Sequence, residues 1–159
     1  MAFSHIWKEQ SKEFSAYIEA VREIQQLLAS LFFQIRVKSE VLPEATKVLF
    51  EKFESGDLPP NSYLGGGTAI ALHLGHRQSV DLDWFTPSAF DEKMWQMRWE
   101  EKWNFNMKSR EWQTLVGEIS QVKTSLFFYN YPLIEDPITF NGLQIATLKD
   151  LAAMKLTQS

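Results

Sequence analysis

Between Phe14 and Ile35 apolar side chains return every three or four residues, at Phe14, Tyr17, Ile18, Val21, Ile24, Leu27, Leu28, Leu31, Phe32 and Ile35. Glu19, Arg22, Glu23, Gln25 and Gln26 fill the other side, so the spacing predicts an amphipathic helix with one core-facing stripe. A second helix is expected from Pro43 to about Phe53, with proline in its first turn and Leu42, Ala45, Val48, Leu49 and Phe53 turned inward. The cluster Gly56-Asp57-Leu58-Pro59-Pro60-Asn61 reads as a turn. After it come a short strand at Tyr63–Leu64, a glycine run, and a short helix from Thr68 to Leu74 that Gly75 closes. Val80 to Phe85 reads as a strand, and Asp91 to Trp103 as a helix. Phe105 to Tyr129 reads as two or three antiparallel strands, the last with Val122, Thr124, Leu126 and Phe128 alternating against Lys123, Ser125 and Phe127. Pro132 and Pro137 bracket a loop, and a final helix opens at Thr147. No internal repeat or low-complexity tract is present. The pattern predicts an α+β fold around a modest mixed or antiparallel sheet with flanking helices. Residues 1–56 are expected to form an N-terminal helical segment packing on a core of residues 57–159.

Composition narrows the function classes more than the fold. A chain of 159 residues with 45% hydrophobic positions is one domain that can bury a sizeable core. A net charge of -4 argues against a general polyanion binder, so any nucleic-acid contact must be a local patch. Cysteine is absent, which removes disulfides, thiolate zinc sites and thiol nucleophiles. The first ten residues carry no secretory pattern, and Leu27 to Ile35 is interrupted by Ser30 and Gln34 and far too short to span a bilayer. The expectation is a cytoplasmic protein with no membrane partner.

Chemistry concentrates in two places. Leu64-Gly65-Gly66-Gly67-Thr68 joins a strand to a helix. Glycines there permit positive φ and close approach of a ligand, and the helix N-terminus offers unpaired amides to phosphate. Thr68 can cap that helix and present a hydroxyl to a phosphate oxygen. Neither a Walker ending nor a dinucleotide fingerprint is present, and a tight turn alone would need the same glycines. The second place is Asp81-Leu82-Asp83, whose carboxylates share one face of a strand and repel each other without a cation. Magnesium suits such oxygens together with substrate phosphates. Arg77 between them fits either a triphosphate or an ion pair with these acids. His73 and His76, three apart, lack the further ligands a zinc site needs. Trp95, Trp99 and Trp103 form one aromatic stripe and Phe90, Met94 and Met97 a second. Both fit core packing best, with base stacking or a protein contact open to whichever stripe is exposed. On the last helix Thr147 and Asp150 fit a capping box. Lys155 falls between Leu148, Leu151 and Ala152, an apolar side where a lysine needs a partner, while Lys149 lies on another side.

Tyr63-Leu64-Gly65-Gly66-Gly67-Thr68-Ala69-Ile70-Ala71-Leu72, then Leu74 to Ser79 and Asp81-Leu82-Asp83-Trp84-Phe85, resemble the signature of AbiEii/AbiGii-type toxin nucleotidyltransferases of the DNA polymerase β-like superfamily. Similarity continues through Phe128 to Pro132 and returns at Thr147 to Leu156, whereas nothing before about Pro43 matches. The resemblance implies a nucleotidyltransferase-type fold and transfer of a nucleotide from a nucleoside triphosphate to an acceptor, such as tRNA, with Mg2+ or Mn2+. It also implies a toxin–antitoxin or phage-defence setting with a cognate antitoxin. Carried over, Asp81 and Asp83 are metal ligands and catalytic, as is Lys155. Gly66, Gly67, Thr68, Arg77, Ser79 and Lys149 are nucleotide-binding.

Two departures accompany the match. The superfamily places a third acid on a later strand, and Val122–Tyr129 contains none, with Glu111 and Glu118 the nearest candidates. The family also continues past the lysine helix to a further charged motif, so the core reads as truncated at its C-terminus, with an apolar surface exposed beside the final helix. The alternative to an active enzyme is a non-catalytic nucleotide- or partner-binding module of the same fold.

Overall fold

The computed structural model describes residues 2–36, 41–75 and 79–157. Helix α1 (Ala2–Arg36) precedes α2 (Glu44–Lys52), a 3-10 turn at Ser55–Asp57 and strand β1 (Tyr63–Leu64). Then follow α3 (Gly66–Leu74), β2 (Leu82–Thr86), α4 (Glu92–Trp103), β3 (Asn106–Glu111), β4 (Thr114–Ile119) and β5 (Val122–Phe128). The chain continues with β6 (Ile138–Phe140), β7 (Leu143–Ile145) and α5 (Leu148–Thr157). All strands join one mixed sheet in the order β3-β4-β5-β2-β1-β7-β6. β2 runs parallel to β5 and β1 parallel to β7, and the other neighbours are antiparallel. The α+β class is therefore observed, with a sheet wider than the sequence led us to expect. The additional width is the β6–β7 hairpin, closed by Asn141 and Gly142, both at positive φ. An Asn-Gly pair between apolar residues is a hairpin signal; here it stands between strands three residues long, too short to show alternation.

The two faces of the sheet do different work. On one, Trp84 of β2 is fully buried and stacks on Phe50 and Phe53, with Phe53 also against Trp99 and Trp103 of α4. These aromatic contacts fix α2 and α4 over the sheet centre. The α2 face is rotated from the expected one. Thr46, Leu49 and Phe50 are buried, whereas Ala45 and Val48 are exposed, because Thr46 donates a hydrogen bond to the Val80 carbonyl and turns that side inward. In α4 the tryptophan stripe packs inward as expected, but Met94 and Met97 of the second stripe are exposed. On the other face, Tyr63 stacks on Phe85, and α3 packs against α5.

Helix α1 departs most from expectation. It forms over its full length, but the apolar stripe predicted to face the core is exposed at Phe14, Tyr17, Ile24, Leu28 and Leu31, and α1 meets the sheet at the β6 edge. Amphipathic spacing specifies that a stripe wants burial; it does not specify by what.

Candidate functional site

The glycine turn is pressed onto β2. A Cβ added at Gly65 would lie 2.6 Å from the Phe85 ring, and one at Gly66 would lie 2.5 Å from Asp83 Oδ2. Gly66 also sits at φ +63°, where a side chain is strained. Gly65 N–H donates to the Asp83 carbonyl at 2.9 Å, locking turn and strand together. Helix α3 then starts at Gly66 with Gly65 as N-cap and no side-chain cap, while Gly66 and Gly67 remain partly exposed. The first-turn amides and positive dipole end are thus set beside a carboxylate, in the arrangement that receives phosphate. Gly75 ends α3 in the left-handed conformation, as expected.

Thr68 does not cap the helix. It lies inside α3, 1% exposed, its hydroxyl donating to the Asp81 carbonyl and lying 2.9 Å from Ser79 Oγ. Thr68 and Ser79 therefore pin the segment that leads into β2, and so fix where Asp81 begins its approach.

Asp81 stands immediately before β2 and Asp83 within it, two residues apart and both partly exposed. Burial holds the Asp83 carboxyl above its ordinary value and the Asp81 charge adds to this, while Lys123 and the Ser125 hydroxyl pull the other way. Lys123 Nζ lies 3.8 Å from Asp81 Oδ2. Ser125 is the register partner of Asp83 across the parallel β2–β5 ladder. Its Oγ is buried near the carboxylate yet forms no hydrogen bond of ordinary geometry. Ser125 and Lys123 escaped the sequence reading because the pairing of β2 with β5 is non-local. The signal available was the alternation of Lys123, Ser125 and Phe127 opposite the apolar positions of β5.

These donors fit a magnesium ion shared with a substrate. Among the described residues no three His, Asp or Glu side chains gather as a metal cage. Magnesium keeps several waters and takes one or two carboxylates plus phosphate oxygens, which Asp81, Asp83 and a phosphate held at the turn would supply.

Helix α5 borders the turn, with Met154 Cε 3.6 Å from the position of a Cβ on Gly65. Its buried face is Thr147, Asp150, Leu151 and Met154. Lys155 is exposed, as are Leu148, Ala152 and Leu156, so of the apolar side read from the sequence around Lys155 only Leu151 is buried. Lys149 pairs with Glu135 at 2.7 Å on the surface. Asp150 caps with Thr147 as expected and also accepts the Ile134 and Glu135 amides at 2.7 and 3.1 Å. Glu118, on β4 beyond β5, pairs with Lys108 of β3, and Glu111 is exposed at the end of β3. His73 Nε2 contacts the Ala146 carbonyl at 2.8 Å. His76 and Arg77 lie outside the described residues. No described helix is long and apolar enough to cross a membrane.

Comparison with known proteins agrees with the sequence resemblance. Residues 47–118 match the family described as nucleotidyl transferase AbiEii toxin, type IV toxin–antitoxin system. An uncharacterized protein of Aquifex aeolicus (strain VF5) is 35% identical over 126 residues, covering 72% of this chain and 57% of its own. The chain thus spans little more than half the length of that relative. Among solved structures, the Megavirus polyadenylate synthase superposes with a TM-score of 0.47 at 12% identity, over 87% of this chain and 32% of that one. A Thermotoga maritima protein classed as a nucleotidyltransferase gives 0.38 at 15% identity, over 62% and 73%.

Proposed function

Taking as premise that residues 47–118 match the AbiEii nucleotidyl transferase family, we propose that this chain transfers a nucleotide from a nucleoside triphosphate to an acceptor hydroxyl. The observation that carries the reading is the contact between Gly66 and Asp83. An uncapped helix N-terminus suited to phosphate and a carboxylate suited to a cation are fixed within one side chain's width.

In this reading the α3 amides and Gly66–Gly67 hold the triphosphate, and Thr68 and Ser79 position the Asp81 segment. The acceptor oxygen bonds to the α-phosphorus as the bond from that phosphorus to the β-bridging oxygen breaks, and pyrophosphate leaves with the electron pair. The acceptor proton passes to a carboxylate of the Asp81–Asp83 pair or to solvent. Bound Mg2+ or Mn2+ would neutralise charge on the phosphate oxygens. Lys123 balances the acid pair when no ion is held, and Lys155 and Arg77 are the further cations proposed for the triphosphate. RNA such as tRNA is the proposed acceptor class, within a toxin–antitoxin or phage-defence system and with a cognate antitoxin.

Among the described residues no third acid stands beside Asp83, where Ser125 is its partner, and this favours a second reading in which the site binds nucleotide without transferring it. Label from α-32P nucleoside triphosphates, offered with Mg2+ and total RNA, separates the two. Incorporation that Asp81→Asn abolishes supports transfer; metal-dependent binding without incorporation supports the second reading; neither result contradicts both.

A further inference from the structure

Helix α1 meets the sheet at its β6 edge and leaves most of its apolar stripe uncovered. Glu23, Gln26, Leu27 and Ser30 line a cavity with Asp136, Ile138 and Thr139 at the β6 edge, and most of the apolar stripe is exposed. Along that stripe, steps of four and three residues alternate from Phe3 to Ile35, apolar at every position but Gln10. One seam row is Trp7, Phe14, Val21, Leu28 and Ile35; the other is Phe3, Gln10, Tyr17, Ile24 and Leu31. A straight helix drifts about 20° per heptad against such a repeat, so over five heptads a stripe meant for a flat surface would slide off it by roughly 100°. A strict repeat stays in line when helices wind around one another.

We propose that α1 is a parallel, in-register coiled-coil interface joining two copies of this chain. Three observations select a second copy as the occupant. Gln10 is the polar break in the seam. Parallel in-register pairing sets it against its own counterpart, where the two amides satisfy each other; a shifted or antiparallel pairing sets it against apolar side chains. The positions flanking the seam include Ile6, Ala20, Ile18 and Gln25, with Glu13 the one charge, so no like-charge contacts oppose self-pairing. The seam is also long enough. At roughly 60–120 Å² per buried apolar side chain, it covers on the order of 800 Å² per chain, the size of a standard stable interface. Of the residues bordering β6, Glu23, Gln26 and Ser30 lie off the seam and Leu27 flanks it, so the contact with the sheet survives the pairing.

Light scattering on the full chain across a concentration series tests this. The expected mass is twice 18.5 kDa, halved in Ile24→Glu/Leu28→Glu with the circular dichroism of the core retained. The chain has no cysteine, so Val21→Cys reports register directly. Oxidation is expected to cross-link the dimer, and Glu19→Cys on the outer side is expected to remain uncross-linked. A single-chain mass at every concentration overturns the proposal, as does a dimer indifferent to the Glu substitutions. A dimer that Val21→Cys fails to cross-link overturns the parallel register.

Discussion

At the scale of single residues, Gly66 and Asp83 define the proposed site and each yields a direct test. Gly66→Ala adds a Cβ 2.5 Å from Asp83 Oδ2 at a φ of +63°. The strain should lower the unfolding free energy by about 1–3 kcal/mol in urea titration and abolish nucleotide binding. Gly56→Ala, which meets nothing within 4 Å, should change stability little. Asp83 makes stability depend on pH with a defined sign. Its folded carboxyl is held above the ordinary value by burial and by Asp81, so the unfolded chain releases this proton first. Stability therefore falls as pH rises from the ordinary aspartate range to the raised folded value. Asp83→Asn should remove that fall and unfold at higher urea than the parent at neutral pH; lower stability there would contradict the assignment. The glycine turn and the acid pair were legible in sequence because all their members lie within twenty residues of one another. Lys123 and Ser125 were not, because strand pairing, not sequence distance, brings them to Asp83.

At the scale of elements, boundaries followed local chemistry where caps and aromatics were strong, as at Gly75 and along the tryptophan stripe of α4. They failed where a single hydrogen bond or a short strand decided, as for the Thr46 face of α2 and for β6 and β7. Asp150 shows how one side chain ties elements together. It is 3% exposed and accepts two loop amides besides the Thr147 hydroxyl. Asp150→Ala strands those amides, and the loss should be roughly 2–4 kcal/mol in urea unfolding. A loss under about 1 kcal/mol would place the loop 134–135 outside the cooperative unit. Lys155 lies on the exposed side of α5. Lys155→Met should therefore leave the melting temperature almost unchanged, and a weakened triphosphate affinity would support its proposed role at the site.

At the scale of the whole molecule, the sheet separates labour. One face is sealed by Trp84, Phe50, Phe53 and Trp99, and the other carries the glycine turn, the acid pair and α5. The α+β class was readable from periodicity, but the destination of α1 was not, since an apolar stripe has the same spacing whether a sheet or another helix covers it. The turn and the acid pair are proposed to form one site for a divalent cation and a nucleoside triphosphate. Thermal unfolding with Mg2+ and each nucleoside triphosphate, separately and together, tests it most directly. A ligand at a hundred times its dissociation constant stabilises by about 2.7 kcal/mol, so the combination should raise the melting temperature by several degrees. Asp81→Asn/Asp83→Asn should fold normally and lose that rise. An equal, metal-independent rise in the double variant, or no rise in the parent with any nucleotide, would contradict the claim.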